Sequence, residues 1–228
     1  MSYTKWVSFL LVFLCIHTMM NAQDNLTGYW QPQVAINYDV APLYSHNFSV
    51  TNRNYVLNDS EVQLSVRQLD VAHFSNLKIQ DNQSIALGVQ YRFRNAFEGR
   101  GDELRFTQQY NFTKKPMTIR FGHRFRAEQR ITKSPTIHRF RYRFTMDFAL
   151  KGETLNMGEA YFVGNLENLL SVSKMASPEY DVRLTGQIGW QLQGGLKLQT
   201  GLEYRLEDFS SGVPQNVVFL LTSAQISL

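Results

Sequence analysis

The 228-residue chain has a single cysteine, six prolines and a charged fraction of only 18%. That cysteine, Cys15, falls in an N-terminal leader, so the expected mature chain forms neither a disulfide nor a thiolate metal site. Five scattered histidines supply no metal-ligand spacing, and no cofactor is expected. Past the leader no apolar run reaches the roughly 20 residues that a membrane-spanning helix needs. If the chain is integral to a membrane it must therefore be a barrel, the other spanning structure that satisfies every backbone polar group. A hydrophobic fraction of 43% excludes disorder. Aromatic residues are plentiful, at 13% with 16 Phe and 11 Tyr, which favours strands.

The leader has the form of an export signal. Lys5 is the only charge before Asp24, residues 6–16 are an apolar core, and 17–22 end in small residues. Cleavage is expected after Ala22, although Met20 is larger than the residue usual three positions before a cut. Leu14 before Cys15 speaks against a lipoprotein. Residues 1–22 are thus read as a signal peptide and 23–228 as one domain.

The mature chain repeats one pattern of about ten alternating residues and a break. Ile85, Leu87, Val89, Tyr91 and Phe93 share one face, and Gln90, Arg92 and Arg94 the other. Phe140, Tyr142, Phe144, Met146 and Phe148 likewise oppose Arg139, Arg141, Arg143 and Asp147. A period of two is a strand signal. Turn residues mark short breaks at 42, 80–83, 114–116 and 193–195, and longer ones run through 95–102, 131–135, 167–178 and 208–215. Alternation of brief and long connections is expected of outer-membrane barrels.

Eleven windows result: 29–40, 45–56, 61–79, 84–94, 103–113, 116–130, 137–150, 157–166, 179–193, 195–207 and 216–228. Single-chain bacterial barrels favour even numbers. The expected fold is therefore an all-β, transmembrane antiparallel up-and-down barrel of 10 or 12 strands. Either Pro32 disqualifies the first window or the 61–79 stretch breaks near 67–70.

Face assignment follows from cost. The arginines at 92, 94, 105, 120, 124, 126, 139, 141, 143, 183 and 205 all share the polar register of their windows. An arginine facing lipid near the midplane costs about 2–4 kcal/mol, so all of them on that face would oppose insertion by something on the order of 20 kcal/mol. A soluble exported β-sandwich shares the alternation and stays open as an alternative. The alternating C-terminal Ala224, Ile226 and Leu228 suits barrel closure. The face of Glu159 is undecided.

The segments Arg124-Phe-Arg-Ala-Glu-Gln-Arg130, His138-Arg-Phe-Arg-Tyr-Arg-Phe144 and Gly158-Glu-Ala-Tyr-Phe162 resemble motifs of domain of unknown function 2490. The resemblance runs from Trp30 to Leu228 and is densest over 118–162. It implies a Bacteroidota-type outer-membrane barrel, in contact with outer-membrane lipid and with the barrel-assembly machinery during biogenesis. No activity and no catalytic residue comes with it.

Charge is distributed unevenly. Residues 84–150 hold 11 Arg and 3 Lys against 5 acids, whereas 23–83 and 151–228 each carry a net −3. The candidate basic track is Arg92, Arg94, Arg105, Arg120, Arg124, Arg126, Arg139, Arg141 and Arg143, and its candidate acidic partners are Glu128, Asp147 and Glu203, with Glu207 beside them. One reading is a narrow channel for small anionic solutes, since guanidinium forks bind carboxylate and phosphate and a lined pore focuses their field. The other is a structural filling of arginine and acid, and small barrels are often filled by their own side chains.

An outer-membrane lipid-acting enzyme is a further alternative, resting on His46, His73 and the nearby Ser75 and Asp70. His123 and His138 read as interfacial. Nucleic-acid binding is not expected, because aromatics and arginines alternate onto opposite faces and cannot line one groove.

Overall fold

The computed structural model describes residues 26–58, 61–133, 135–174, 176–211 and 213–228. The predicted signal peptide lies outside them. Eleven strands follow one another: β1 (Leu26–Ala41), β2 (Tyr44–Asn58), β3 (Glu61–Gln80), β4 (Gln83–Phe93), β5 (Glu103–Lys114), β6 (Arg120–Ile131), β7 (Ile137–Ala149), β8 (Ala160–Val172), β9 (Glu179–Gln191), β10 (Lys197–Glu207) and β11 (Gln215–Ser227). A single helical turn, α1 (Asn95–Glu98), interrupts the connection between β4 and β5.

Each strand pairs with its sequence neighbours, and β1 closes onto β11. A closed single sheet overturns the β-sandwich alternative, since among the described residues no second sheet covers the apolar rows. The expected even strand number is also overturned. β3 runs unbroken, and β1 keeps its place although it contains Pro32. With an odd number of alternating strands the first and last point the same way, so the closing ladder must be parallel. It runs in unbroken register from Leu26↔Asn216 to Asn37↔Ser227. Pro32 has no N–H to donate, and the β1–β2 register lapses there, passing from Trp30↔Asn54 to Gln33↔Thr51.

The ends of β2, β4, β6, β8 and β10 and the starts of β1, β3, β5, β7, β9 and β11 mark one mouth, here the long-loop mouth; 42–43, 81–82, 115–119, 150–159 and 192–196 lie at the other, the short-turn mouth. The expected asymmetry is only partly met, because 150–159 is long and sits among the short turns. The expected loop at 167–178 is also corrected. β8 continues to Val172, with Glu167, Leu169 and Ser171 buried in the interior and Leu166 exposed on the outside. An inward leucine among outward ones conceals the period of two.

Outside the barrel stand large exposed apolar side chains, among them Leu64 at 82%, Leu87 at 66% and Leu184 at 60% exposure. So extensive an apolar surface is foreign to monomeric soluble proteins. Inside, Gly88 lets the Phe74 ring lie flat on the β4 wall; a Cβ at position 88 would collide with that ring.

Cysteine pairs test the parallel seam. In a chain whose Cys15 is removed, Trp30→Cys with Leu220→Cys and Ile36→Cys with Ile226→Cys should both cross-link on mild oxidation. An antiparallel closure would instead cross-link the exchanged pair Trp30→Cys with Ile226→Cys.

Candidate functional site

Strand alternation collects the arginines inside, and carboxylates meet them there. Glu103, at the first position of β5, is 1% exposed. It accepts two hydrogen bonds from Arg130, at 3.0 and 2.7 Å, one from Arg94 at 3.4 Å, and one from Arg105. Glu128 accepts from Arg141 at 2.8 Å and Arg126 at 3.5 Å. Glu167 accepts from Arg143 at 2.5 Å and from Arg141, with Arg183 at 3.8 Å. Arg92 clasps both oxygens of Asp70 at 2.7 Å each, and Gln68 donates to the same carboxylate. Arg205 donates to Glu203 at 2.5 Å, and Glu207 stands 3.6 Å from it. A charge out of water costs several kcal/mol unless paired, so these groups are bound to one another by their own burial.

Across the interior, Tyr29, Val217 and Phe219 form a buried apolar cluster. The Arg205 guanidinium lies 3.8 Å and that of Arg53 4.9 Å from the Phe219 ring centre, and Arg67 lies 5.0 Å from that of Tyr29. Stacked guanidinium on aromatic joins the cluster to the ion pairs. Together they fill the half of the lumen nearer the long-loop mouth.

The connection 94–102 turns over that mouth. Tyr55 donates to Glu98 at 2.5 Å, and Arg67 reaches the same carboxylate at 3.7 Å. Asp102 closes the turn by accepting the backbone N–H groups of Asn95 at 2.9 Å and Arg94 at 2.8 Å. These two amides hold the Asp102 carboxyl below the usual carboxylate range.

The half nearer the short-turn mouth is a cavity of about 620 Å³, lined mainly by amide and hydroxyl side chains and by arginines, with the paired carboxylates Asp70 and Glu203 and the apolar Phe74, Val163 and Leu221 among them. On its basic wall Arg124 stands opposite Arg143, Arg126 opposite Arg141, and Arg183 opposite Arg205.

The sequence-predicted residues distribute unevenly over this interior. Arg92, Arg94, Arg105, Arg126, Arg141 and Arg143 each reach a carboxylate. Arg120 sits at the short-turn mouth, its side chain 59% exposed, holding Asp147 at 3.0 and 3.1 Å. Arg124 and Arg139 donate instead to neutral groups, Asn111 at 3.0 Å and Ser171 at 2.8 Å. Of the expected acidic partners, Glu128 meets Arg126 and Arg141, and Asp147 meets Arg120, all within the expected track. Glu203 and Glu207 are reassigned to Arg205, because strand register places them beside it and away from Arg124 to Arg143. Glu103 and Glu167, which bind six arginines between them, escaped sequence reading. Glu103 could have been found, since it shares a register with Arg105. Glu167 could not, in what looked like a loop.

The histidine alternative fares badly. Asp70 points inward to Arg92, whereas His73 stacks against the exposed Phe48 on the outside, 4.6 Å between ring centres. The wall separates them. His46 and His73 contact each other at 2.9 Å, and Ser75 lies 3.4 Å from the same His46 nitrogen, so that one nitrogen would have to face both partners. His123 lies among Phe112, Tyr142 and Phe144. Among the described residues no three His, Asp, Glu or Cys side chains gather as a metal site would require.

Two outcomes test this description. Glu167→Gln leaves three guanidiniums short of charge and should destabilise the refolded barrel by about 3–5 kcal/mol in denaturant unfolding; a change below about 1 kcal/mol would contradict the network. In NMR titration the Asp102 carboxyl should show its midpoint below the reference value of about 3.9. Its stabilisation of the turn is present above the ordinary carboxylate pKa and lost as pH falls through the lowered one; a midpoint at or above the reference would contradict the amide clamp.

No curated protein and no solved structure matches the chain. The family described as protein of unknown function (DUF2490) matches over residues 27–216, and the chain, an eleven-stranded barrel with a basic, ion-paired interior, belongs to that family.

Proposed function

We propose that the chain is an exported outer-membrane β-barrel that lies among lipid acyl chains and carries a self-neutralised filling in place of an open pore. One observation carries this reading: the outward rows are apolar and exposed, while the strand arginines turn inward to carboxylates, amides, a hydroxyl or rings. Lipid solvates the first and not the second, at about 2–4 kcal/mol for each arginine misplaced near the midplane.

Polar groups on the outward face support it by satisfying one another. Gln108 and Gln129 exchange hydrogen bonds at 3.2 and 3.1 Å, and Trp30 donates to Thr222 at 3.1 Å. Such mutual pairing suits a surround that offers no partners. Aromatics stand near both mouths, Tyr91, Phe93 and Tyr204 at one and Tyr38, Tyr44 and Trp190 at the other, as interfacial girdles do. In this reading the partners are outer-membrane lipid and, during biogenesis, the barrel-assembly machinery.

Filling distinguishes this barrel from a porin. Glu128, Glu167 and Asp181 are 3%, 3% and 5% exposed, too little for side chains lining a water column. A second reading, passage of small anionic solutes, draws on the arginine-lined cavity and requires the filling to move. The folded protein should show heat-modifiable migration in detergent gels and no steady conductance in planar bilayers. Complete extraction into buffer without detergent would overturn the membrane reading. Anion-selective conductance that falls when Arg139, Arg141 and Arg143 become Ala would overturn the closed lumen and favour passage.

A further inference from the structure

We infer that the cavity in the short-turn half is a binding site for a small hydroxylated anion, of the sugar phosphate class, reached from the short-turn mouth. The inference deepens the reading above and rests on it for the direction of access.

On the basic wall, arginines stand directly opposite one another. Arg124 and Arg143 are direct cross-strand neighbours, as are Arg183 and Arg205. Like charges placed opposite each other repel. Glu167 lies between the two pairs and is already shared by Arg141, Arg143 and Arg183, while Arg183 also meets Asp181 at 3.6 Å and Glu207 at 4.0 Å and Arg205 holds Glu203. Among the described residues Arg124 donates only to the Asn111 amide oxygen. Arg183 is 8% exposed, and its Nε is buried without a hydrogen-bond partner although the side chain lines the cavity. An unpaired guanidinium donor beside a polar cavity points to an acceptor supplied from outside. A phosphate or carboxylate matches the fork geometry, relieves the repulsion between Arg124 and Arg143, and supplies the acceptor that the Arg183 Nε lacks.

The facing wall is neutral and polar. Gln33 donates to Thr51 at 3.0 Å and Asn47 donates to Asn37 at 2.8 Å, all four lining the cavity. Each amide keeps further donors and acceptors after that bond. Such groups recognise hydroxyls. The cavity, about 620 Å³, falls within the range of roughly 300–1,000 Å³ usual for small-molecule sites. Asn37 and Gln225, among its lining residues, stand close to the short-turn mouth, where Arg120 also holds Asp147, whereas the arginines around Glu103 and the cluster of Tyr29 and Phe219 fill the opposite half.

Calorimetric titration of the folded protein in detergent tests the site, with glucose 6-phosphate, glucose and inorganic phosphate as probes. Glucose 6-phosphate should bind saturably, inorganic phosphate at least about tenfold more weakly, and glucose not at all. Arg124→Gln should weaken glucose 6-phosphate by at least about tenfold, the loss of one charged hydrogen-bonding partner, and Arg124→Lys should restore part of it. Heat-modifiable migration must be retained in both variants. Asn47→Ala should weaken glucose 6-phosphate and leave phosphate unchanged. Absence of saturable binding by the wild type, or undiminished binding in Arg124→Gln, would overturn the site. Equal affinity for inorganic phosphate would overturn recognition of the hydroxylated part. Conductance reads the closed lumen separately, so the two ideas fail independently.

Discussion

The structure depends on what a guanidinium requires once a sheet has curled around it. Period-two alternation sends every second residue of each strand inward, and in the middle of this chain those residues are repeatedly arginine. Inside a closed barrel they are cut off from bulk water, where an isolated charge is prohibitively costly. Each must find an acceptor or an aromatic face within reach of its own row. Glu103, Glu128, Glu167, Asp70 and Glu203 meet that demand for most of them, and Phe219, Tyr29 and Phe74 for others. The interior is thus held by mutual need more than by apolar burial; among the described residues the buried apolar cluster is Tyr29, Val217 and Phe219, with Tyr55 and Leu221 packed against it.

Closure at eleven has a geometric consequence of its own. An odd count forces a parallel ladder between the first and last strands and puts the two ends of the barrel-forming chain at opposite mouths. Parallel pairing is slightly weaker per residue than antiparallel, but the seam is long and in unbroken register. It also brings Tyr29 beside Phe219, placing the aromatic cluster opposite the ion pairs. The seam therefore helps to build the filling that occupies one half of the lumen.

Most strands were legible in the sequence because each is a run of strict alternation bounded by turn residues. Parity was not, since no local pattern reports whether a closing ladder is parallel, and a general preference for even numbers outweighed eleven plain windows. The inward direction of Arg92, Arg126 and Arg141 could be read from alternation alone. Their partners could not, because pairing depends on register, and register on turn lengths and on bulges such as those at Asp39/Ala41 and Arg53/Asn54. Asp147 shares a strand with Arg141 and Arg143, yet it bonds Arg120 across the ladder. Glu167 was hidden for a local reason, the inward Leu169 that breaks the visible alternation of β8.

The central claim is that the outward rows meet acyl chains. Trp30 and Trp190 both stand on that face, 41% and 38% exposed. In vesicles the account predicts that lipids brominated along their acyl chains quench the fluorescence of both tryptophans while aqueous iodide leaves it nearly unchanged. Strong quenching by iodide with none by brominated lipid would contradict it.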